Sequence, residues 1–156
     1  MNFKNTAKLA ILAAAALPPP GFGNIDWKPF GAPETAQTRI SESGELSLSG
    51  KLGDASAGFS ARAGLEPSSA YALKFSAMGN TGSGAIIAGT AFANKTFAQT
   101  GGSFWEREAV FGTTANPAPS QLTLRLGGWN TDGRLDFKNV EVLELSLIHI
   151  SEPTRH

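Results

Sequence analysis

Ala70-Tyr71-Ala72-Leu73-Lys74-Phe75-Ser76-Ala77-Met78 is the stretch whose reading decides the fold. Tyr71, Leu73, Phe75 and Ala77 fall on one side of an extended chain. Ala72, Lys74, Ser76 and Met78 fall on the other, because successive side chains of a strand point to opposite faces. Six further segments read as strands: 45–50 (ELSLSG), 57–63 (AGFSARA), 84–92 (GAIIAGTAF), 104–111 (FWEREAVF), 121–127 (QLTLRLG) and 134–143 (RLDFKNVEVL). In 121–127, Leu122, Leu124 and Leu126 point inward and Thr123 and Arg125 outward; 104–111 does not alternate cleanly and is expected to hold a bulge. A turn is expected at Gly79-Asn80-Thr81-Gly82. Short strands at near-regular spacing, with glycine and proline between them and no sustained helical period, predict an all-β sandwich or jelly roll in one domain, residues 21–144.

Both ends of the chain read as something other than domain. At the start, Lys4 and Lys8 precede a short apolar run, Leu9 to Leu17. Ala14-Ala15-Ala16 offers small residues for cleavage, and Pro18-Pro19-Pro20 ends any helix. The run is shorter than the roughly 20 residues a membrane-spanning helix needs. Residues 1–20 are therefore expected to be a signal peptide, with the domain exported to the periplasm, the cell surface or the medium and no membrane span after its removal. At the other end, LSLIHISEPTR within residues 145–156 resembles the translation of a transposase adapter used in sequencing libraries. On that reading the tail is artefactual, and the natural protein is expected to continue beyond Glu144 into a C-terminal domain.

Both histidines, His149 and His156, lie in that tail, and the chain has no cysteine. The expected domain thus has no nucleophile–base pair built on His or Cys and no transition-metal ligand set. Without its two ends it holds ten basic and twelve acidic residues. No basic run appears, so the electrostatic footprint of nucleic-acid binding is missing. Paired carboxylates are the remaining route to catalysis. Glu106 and Glu108 stand at i, i+2 on one strand, and Asp132 and Asp136 around a turn, but solvated strand faces carry such acids routinely. The expectation is a non-catalytic domain.

Four local patterns, in order, resemble one family. Leu65-Glu66-Pro67-Ser68-Ser69-Ala70-Tyr71-Ala72-Leu73-Lys74-Phe75-Ser76-Ala77 is similar to the L-E-P-G-T-x-Y-x-L-S-F-x-A stretch of secreted carbohydrate-binding modules related to the cellulose-binding C type. Phe104-Trp105-Glu106-Arg107 resembles their x-W-x-R/K strand opening, and Gln121-Leu122-Thr123-Leu124-Arg125-Leu126 their penultimate strand. Gly133-Arg134-Leu135-Asp136-Phe137-Lys138-Asn139-Val140-Glu141-Val142 resembles their closing G-x-x-x-F-D-D-V-x-V strand. The resemblance covers about 24–144. It implies a galactose-binding-domain-like jelly roll, an accessory module of a larger extracellular enzyme, and an oligosaccharide or polysaccharide partner held on a concave sheet face or on loops at one end. It also implies a buried Trp105 and a structural calcium near the first and last strands. Lys138-Asn139 replaces the family's Asp-Asp pair, which leaves Asn139 as an uncharged oxygen ligand and weakens such a site, since hard cations prefer charged oxygens. No other cofactor is expected.

Sugar binding needs an aromatic face to stack on a pyranose and polar groups for its hydroxyls. Trp129, at the start of the loop Gly128 to Gly133, is the leading candidate, with Asn130 and Asp132 beside it. A lid over the end of the core is the competing role for Trp129. Trp27 is expected to pack across the sandwich edge. Arg125 and Lys74 point away from the core and are candidates to line one concave face suited to acidic sugars, a face lacking a row of aromatics. The alternative function is a structural or adhesion spacer without sugar affinity.

Overall fold

The computed structural model describes residues 25–31, 34–79, 84–99 and 101–145. The proposed signal peptide, the turn residues 80–82 and tail residues 146–156 lie outside them. The fold is a β-sandwich of ten strands: β1 (Lys28–Phe30), β2 (Ala36–Ile40), β3 (Leu46–Lys51), β4 (Ser56–Arg62), β5 (Ala70–Gly79), β6 (Ala85–Thr90), β7 (Asn94–Ala98), β8 (Trp105–Gly112), β9 (Thr123–Trp129) and β10 (Asp132–Leu145). A short 3-10 turn, Pro119–Leu122, leads into β9. Two antiparallel five-stranded sheets result. Sheet I runs β1-β4-β9-β6-β7, and sheet II runs β2-β3-β10-β5-β8. All seven segments read as strands from alternation are strands. The short β1, β2 and β7 carry too little alternation to stand out.

The core lies between the sheets and is built by the inward half of each alternating strand. Sheet II contributes Leu46, Leu48, Tyr71, Leu73, Phe75, Leu135 and Phe137; sheet I answers with Phe59, Ile86, Leu124 and Leu126, all buried. Each such side chain contributes roughly 1.5–3 kcal/mol by leaving water. Phe75 ties the layer together, meeting Phe137 from the neighbouring strand and Phe97 from β7 edge-on at 6.1 and 5.8 Å. The Tyr71 ring stacks on Phe111 at 5.8 Å, and its hydroxyl accepts a 2.7 Å bond from the Glu66 backbone N–H. Trp27 is a buried member of this core, as expected of a residue closing the edge.

β10 is the spine of sheet II, paired with β3 on one side and β5 on the other. Its Leu145, the first residue of the expected tail, still pairs with Ala70. The register with β5 shifts between Lys138 and Glu141: three steps along β10 match two along β5, from Ser76 to Lys74. One residue is extra, a β-bulge, and Asn139 takes it up with φ 53°, a left-handed conformation that asparagine tolerates better than most residues. The bulge lets Phe137 and Val142, five apart and out of phase, both reach the core. The bulge expected in 104–111 is absent: β8 pairs with β5 in unbroken register from Ala70↔Gly112 to Ala77↔Trp105.

Trp105 is the second correction. Its register partner Ala77 faces the core, yet Trp105 is 54% exposed. It opens the edge strand β8, where little of sheet I lies over it, and the Arg107 guanidinium sits 5.4 Å from its ring instead. Alternation sets a side chain's direction, and depth comes from what lies opposite.

Candidate functional site

The solvent face of sheet I is assembled from alternate residues of its strands. Three rows run across it. One is Lys28, Ser60, Arg125, Gly89, Asn94; the next is Phe30, Gly58, Gly127, Ile87, Thr96; the third is Ser56, Trp129, Ala85, Ala98. Two central positions of the middle row are glycines, for a backbone reason. A Cβ on Gly58 would stand 2.5 Å from the Gly127 Cα, and one on Gly127 would stand 2.7 Å from the Gly58 Cα. β4 and β9 approach too closely there for side chains, the situation an in-strand glycine often marks. The consequence is a floor without side chains in the middle of the sheet.

Aromatic groups flank that floor. Trp129, which closes β9 rather than standing in the loop after it, is 49% exposed. It is therefore not a lid on the core. Phe30, on β1, lies beyond Gly58. The Arg125 guanidinium reaches back across β4 to within 5.2 Å of the Phe30 ring. The absent side chains of the glycine row leave room for that reach, and the stack holds the cation in place. Arg125 makes no ion pair or hydrogen bond among the described residues. Ser56 and Ser60 supply hydroxyls on the same face. Phe30, Gly58 and Gly127 were not singled out from sequence. The Gly127-Gly128 pair inside a strand was the available signal, whereas Phe30 sits in a three-residue strand.

Asn130 and Asp132 are close to Trp129 in sequence, at the tight β9–β10 connection. Asn130 adopts φ 50°, and its backbone N–H donates to the Ala55 carbonyl at 3.0 Å. Asp132 already pairs with Lys51, in the other sheet. The connection crosses from one layer to the other, so both residues mark the rim of the Trp129 end rather than its floor. Lys74 is farther away. It lies on β5 in sheet II, so the one face expected to hold both Arg125 and Lys74 does not exist: they point out of opposite sides of the sandwich.

The solvent face of sheet II is a different surface. Lys74, Ser76, Glu106, Glu108, Asn139 and Glu141 line a groove of about 360 Å³. Lys74 Nζ is 3.6 Å from Glu108, and Lys138 Nζ lies 4.0 Å from the centre of the Phe104 ring. Farther along, Asp136 accepts bonds from Ser47 Oγ at 2.6 Å and from Arg134 Nε at 2.8 and 2.9 Å. That hydrogen bond, and then the carboxylate's charge, raise the Arg134 pKa above its already high value. Glu106 and Glu108 do share this face, with Glu108 paired to Lys74. Asn139 is the bulge residue here, and among the described residues no group of three or more His, Cys, Asp or Glu side chains is arranged to hold a metal ion.

No family model and no curated protein sequence matches the chain. Solved structures do. The apo module "BiXyn10A CBM1" superposes with a TM-score of 0.56 at 15% identity, over 74% of this chain and 89% of that one. A structure titled "CBM4 structure and function" gives 0.50 at 14% identity, over 76% and 86%. The Clostridium thermocellum xylanase 10B CBM22-1–GH10 modules, complexed with xylohexaose, give 0.55 at 11% identity, over 86% of this chain and 29% of that one. The chain has the fold of carbohydrate-binding modules. At these identities the likeness speaks for the fold, and the site must be argued from this chain's own residues. Among the described residues no helix is long and apolar enough to cross a membrane.

Proposed function

We propose that this chain is a non-catalytic carbohydrate-binding module and that its ligand lies on the solvent face of sheet I, across the Gly58–Gly127 floor. The observation that carries the reading is the half-exposed Trp129 beside a strip of sheet without side chains, with Phe30 and Arg125 on its far side. A pyranose presents an apolar face for stacking and hydroxyls for bonding. Trp129 offers the first surface, Ser56 and Ser60 the second, and a flat floor lets a chain of rings lie down without collision. Asn130 and Asp132 belong at the rim, in reach of a longer ligand. The β-sandwich shared with carbohydrate-binding modules supports the same reading at the level of fold.

In this proposal the module is exported behind residues 1–20 and serves as the N-terminal accessory domain of a larger polysaccharide-active protein. Affinity electrophoresis on a panel of neutral and acidic polysaccharides tests the binding itself. Retardation by at least one glycan, abolished in a folded Trp129→Ala variant, is the expected result. Migration unchanged on every glycan would return the chain to the spacer reading.

A further inference from the structure

The strands of sheet I contain Lys28, Arg62, Lys95 and Arg125 and not one carboxylate. The strands of sheet II carry Glu106, Glu108, Asp132, Asp136, Glu141 and Glu144, balanced by as many cations. A chain with thirteen basic and thirteen acidic residues has thus placed all of its strand carboxylates on one side. Three of the sheet I cations are also neighbours. Lys28 and Arg125 face Ser60 from the strands on either side, and Arg62 stands two residues along β4 on the same face. Directly paired positions lie about 5 Å apart and diagonal ones about 7–8 Å, so the three residues are rooted around Ser60. Lys28 is partly answered by Asp26 at 3.0 Å, an exposed pair of little strength. Arg62 and Arg125 have no such partner among the described residues.

We infer that the polysaccharide held on this face is acidic, its sugars carrying a carboxylate or a sulfate ester that meets the Arg125 guanidinium on a face whose other strand charges are also cationic. This rests on sheet I being the sugar-binding face. A guanidinium offers a planar fork of donors matched to two oxygens of one anionic group, and charge-assisted bonds are about twice as strong as neutral ones. Arg125 is prepared for that role: its guanidinium lies 5.2 Å from the Phe30 ring, and among the described residues no acceptor occupies its donors. Trp129, four residues along the strand and so about 13 Å away, is placed to stack on a ring further down the same glycan.

Isothermal titration against polygalacturonate and its fully methyl-esterified form isolates the charge on one and the same backbone; chondroitin sulfate, neutral xylan and a single-stranded oligonucleotide complete the set. The expected result is binding to an acidic glycan that weakens at least about tenfold on esterification and in Arg125→Gln, and that falls with added salt. Preference for the sulfated glycan over the uronate would assign the anion as a sulfate ester. Should Arg125→Gln not fold, as circular dichroism would show, Arg62→Gln reads the same cationic face. Equal affinity for the esterified glycan or for xylan would overturn the inference and leave the carbohydrate reading standing. Equal affinity for the oligonucleotide would overturn it as mere attraction for any polyanion. Binding to none of the glycans would remove the proposed function itself.

Discussion

The two solvent faces of this sandwich are held by different physics. Sheet I is closed by backbone approach, with Gly58 against Gly127, and its strand charges are all cationic. Sheet II is laced by side chains: Ser47 and Arg134 on Asp136, Lys74 on Glu108, Lys138 on the Phe104 ring. A surface whose cations are partly answered by its own carboxylates has less left to offer an anionic ligand. One whose Arg125 guanidinium lies against a ring, with no ion pair among the described residues, keeps its donors for something else. The contrast teaches that a groove, such as the one on sheet II, need not be the surface best prepared to bind.

The contrast is broken most severely at the glycine floor. Gly127→Val should destabilise the fold by about 3 kcal/mol or more, because overpacking here meets backbone that cannot move aside. Gly112→Val, on the edge of sheet II with its nearest obstacle 3.7 Å away, should change stability by no more than about 0.5 kcal/mol in the same urea unfolding series. Similar losses for the two variants would show that the close approach of β4 and β9 does not set the floor. Next in size is Asp136→Ala, expected to cost about 2 kcal/mol because it strips the acceptor from Ser47 and Arg134 in a site that is nearly buried. Glycan affinity should be untouched by that change, and a loss of binding would move the site to sheet II.

The functional half of the contrast rests on tryptophans of similar exposure. Trp129→Ala should weaken glycan binding by at least about tenfold, equivalent to 1.4 kcal/mol, with little change in melting. Trp105→Ala, on the opposite layer, should leave binding unchanged. Titration of both variants against one glycan decides between the faces, and the reverse ranking would assign the ligand to the β8 edge. A small loss of stability belongs to Lys74→Ala. Its ion pair with Glu108 is long and partly exposed, so its loss should register below about 1 kcal/mol in thermal unfolding.

The legible part of the fold was the part written in alternation. Tyr71, Leu73 and Phe75 are core residues, and Lys74 and Arg125 point to solvent, because a period of two needs only local sequence. The bulge expected in 104–111 is not there, and the one in β10 went unread although the sequence carries its signal. Phe137 and Val142 are an odd number of residues apart, so both reach the interior only if β10 gains a residue between them. The uneven pattern of 104–111 reflects an edge position instead, where Trp105 and Val110 remain exposed without breaking register.

Sequence alone determined seven of the ten strands, the inward faces of 70–78 and 121–127 and the absence of His and Cys outside the expected tail, since each is a property of neighbours along the chain. Tertiary structure alone decided which strands became neighbours. It put Lys74 and Arg125 on opposite sides of the sandwich, ringed Ser60 with Lys28, Arg62 and Arg125, and set Gly58 against Gly127. Those pairings join residues tens of positions apart, and what fixes them is the burial of two whole apolar faces against each other rather than any local preference.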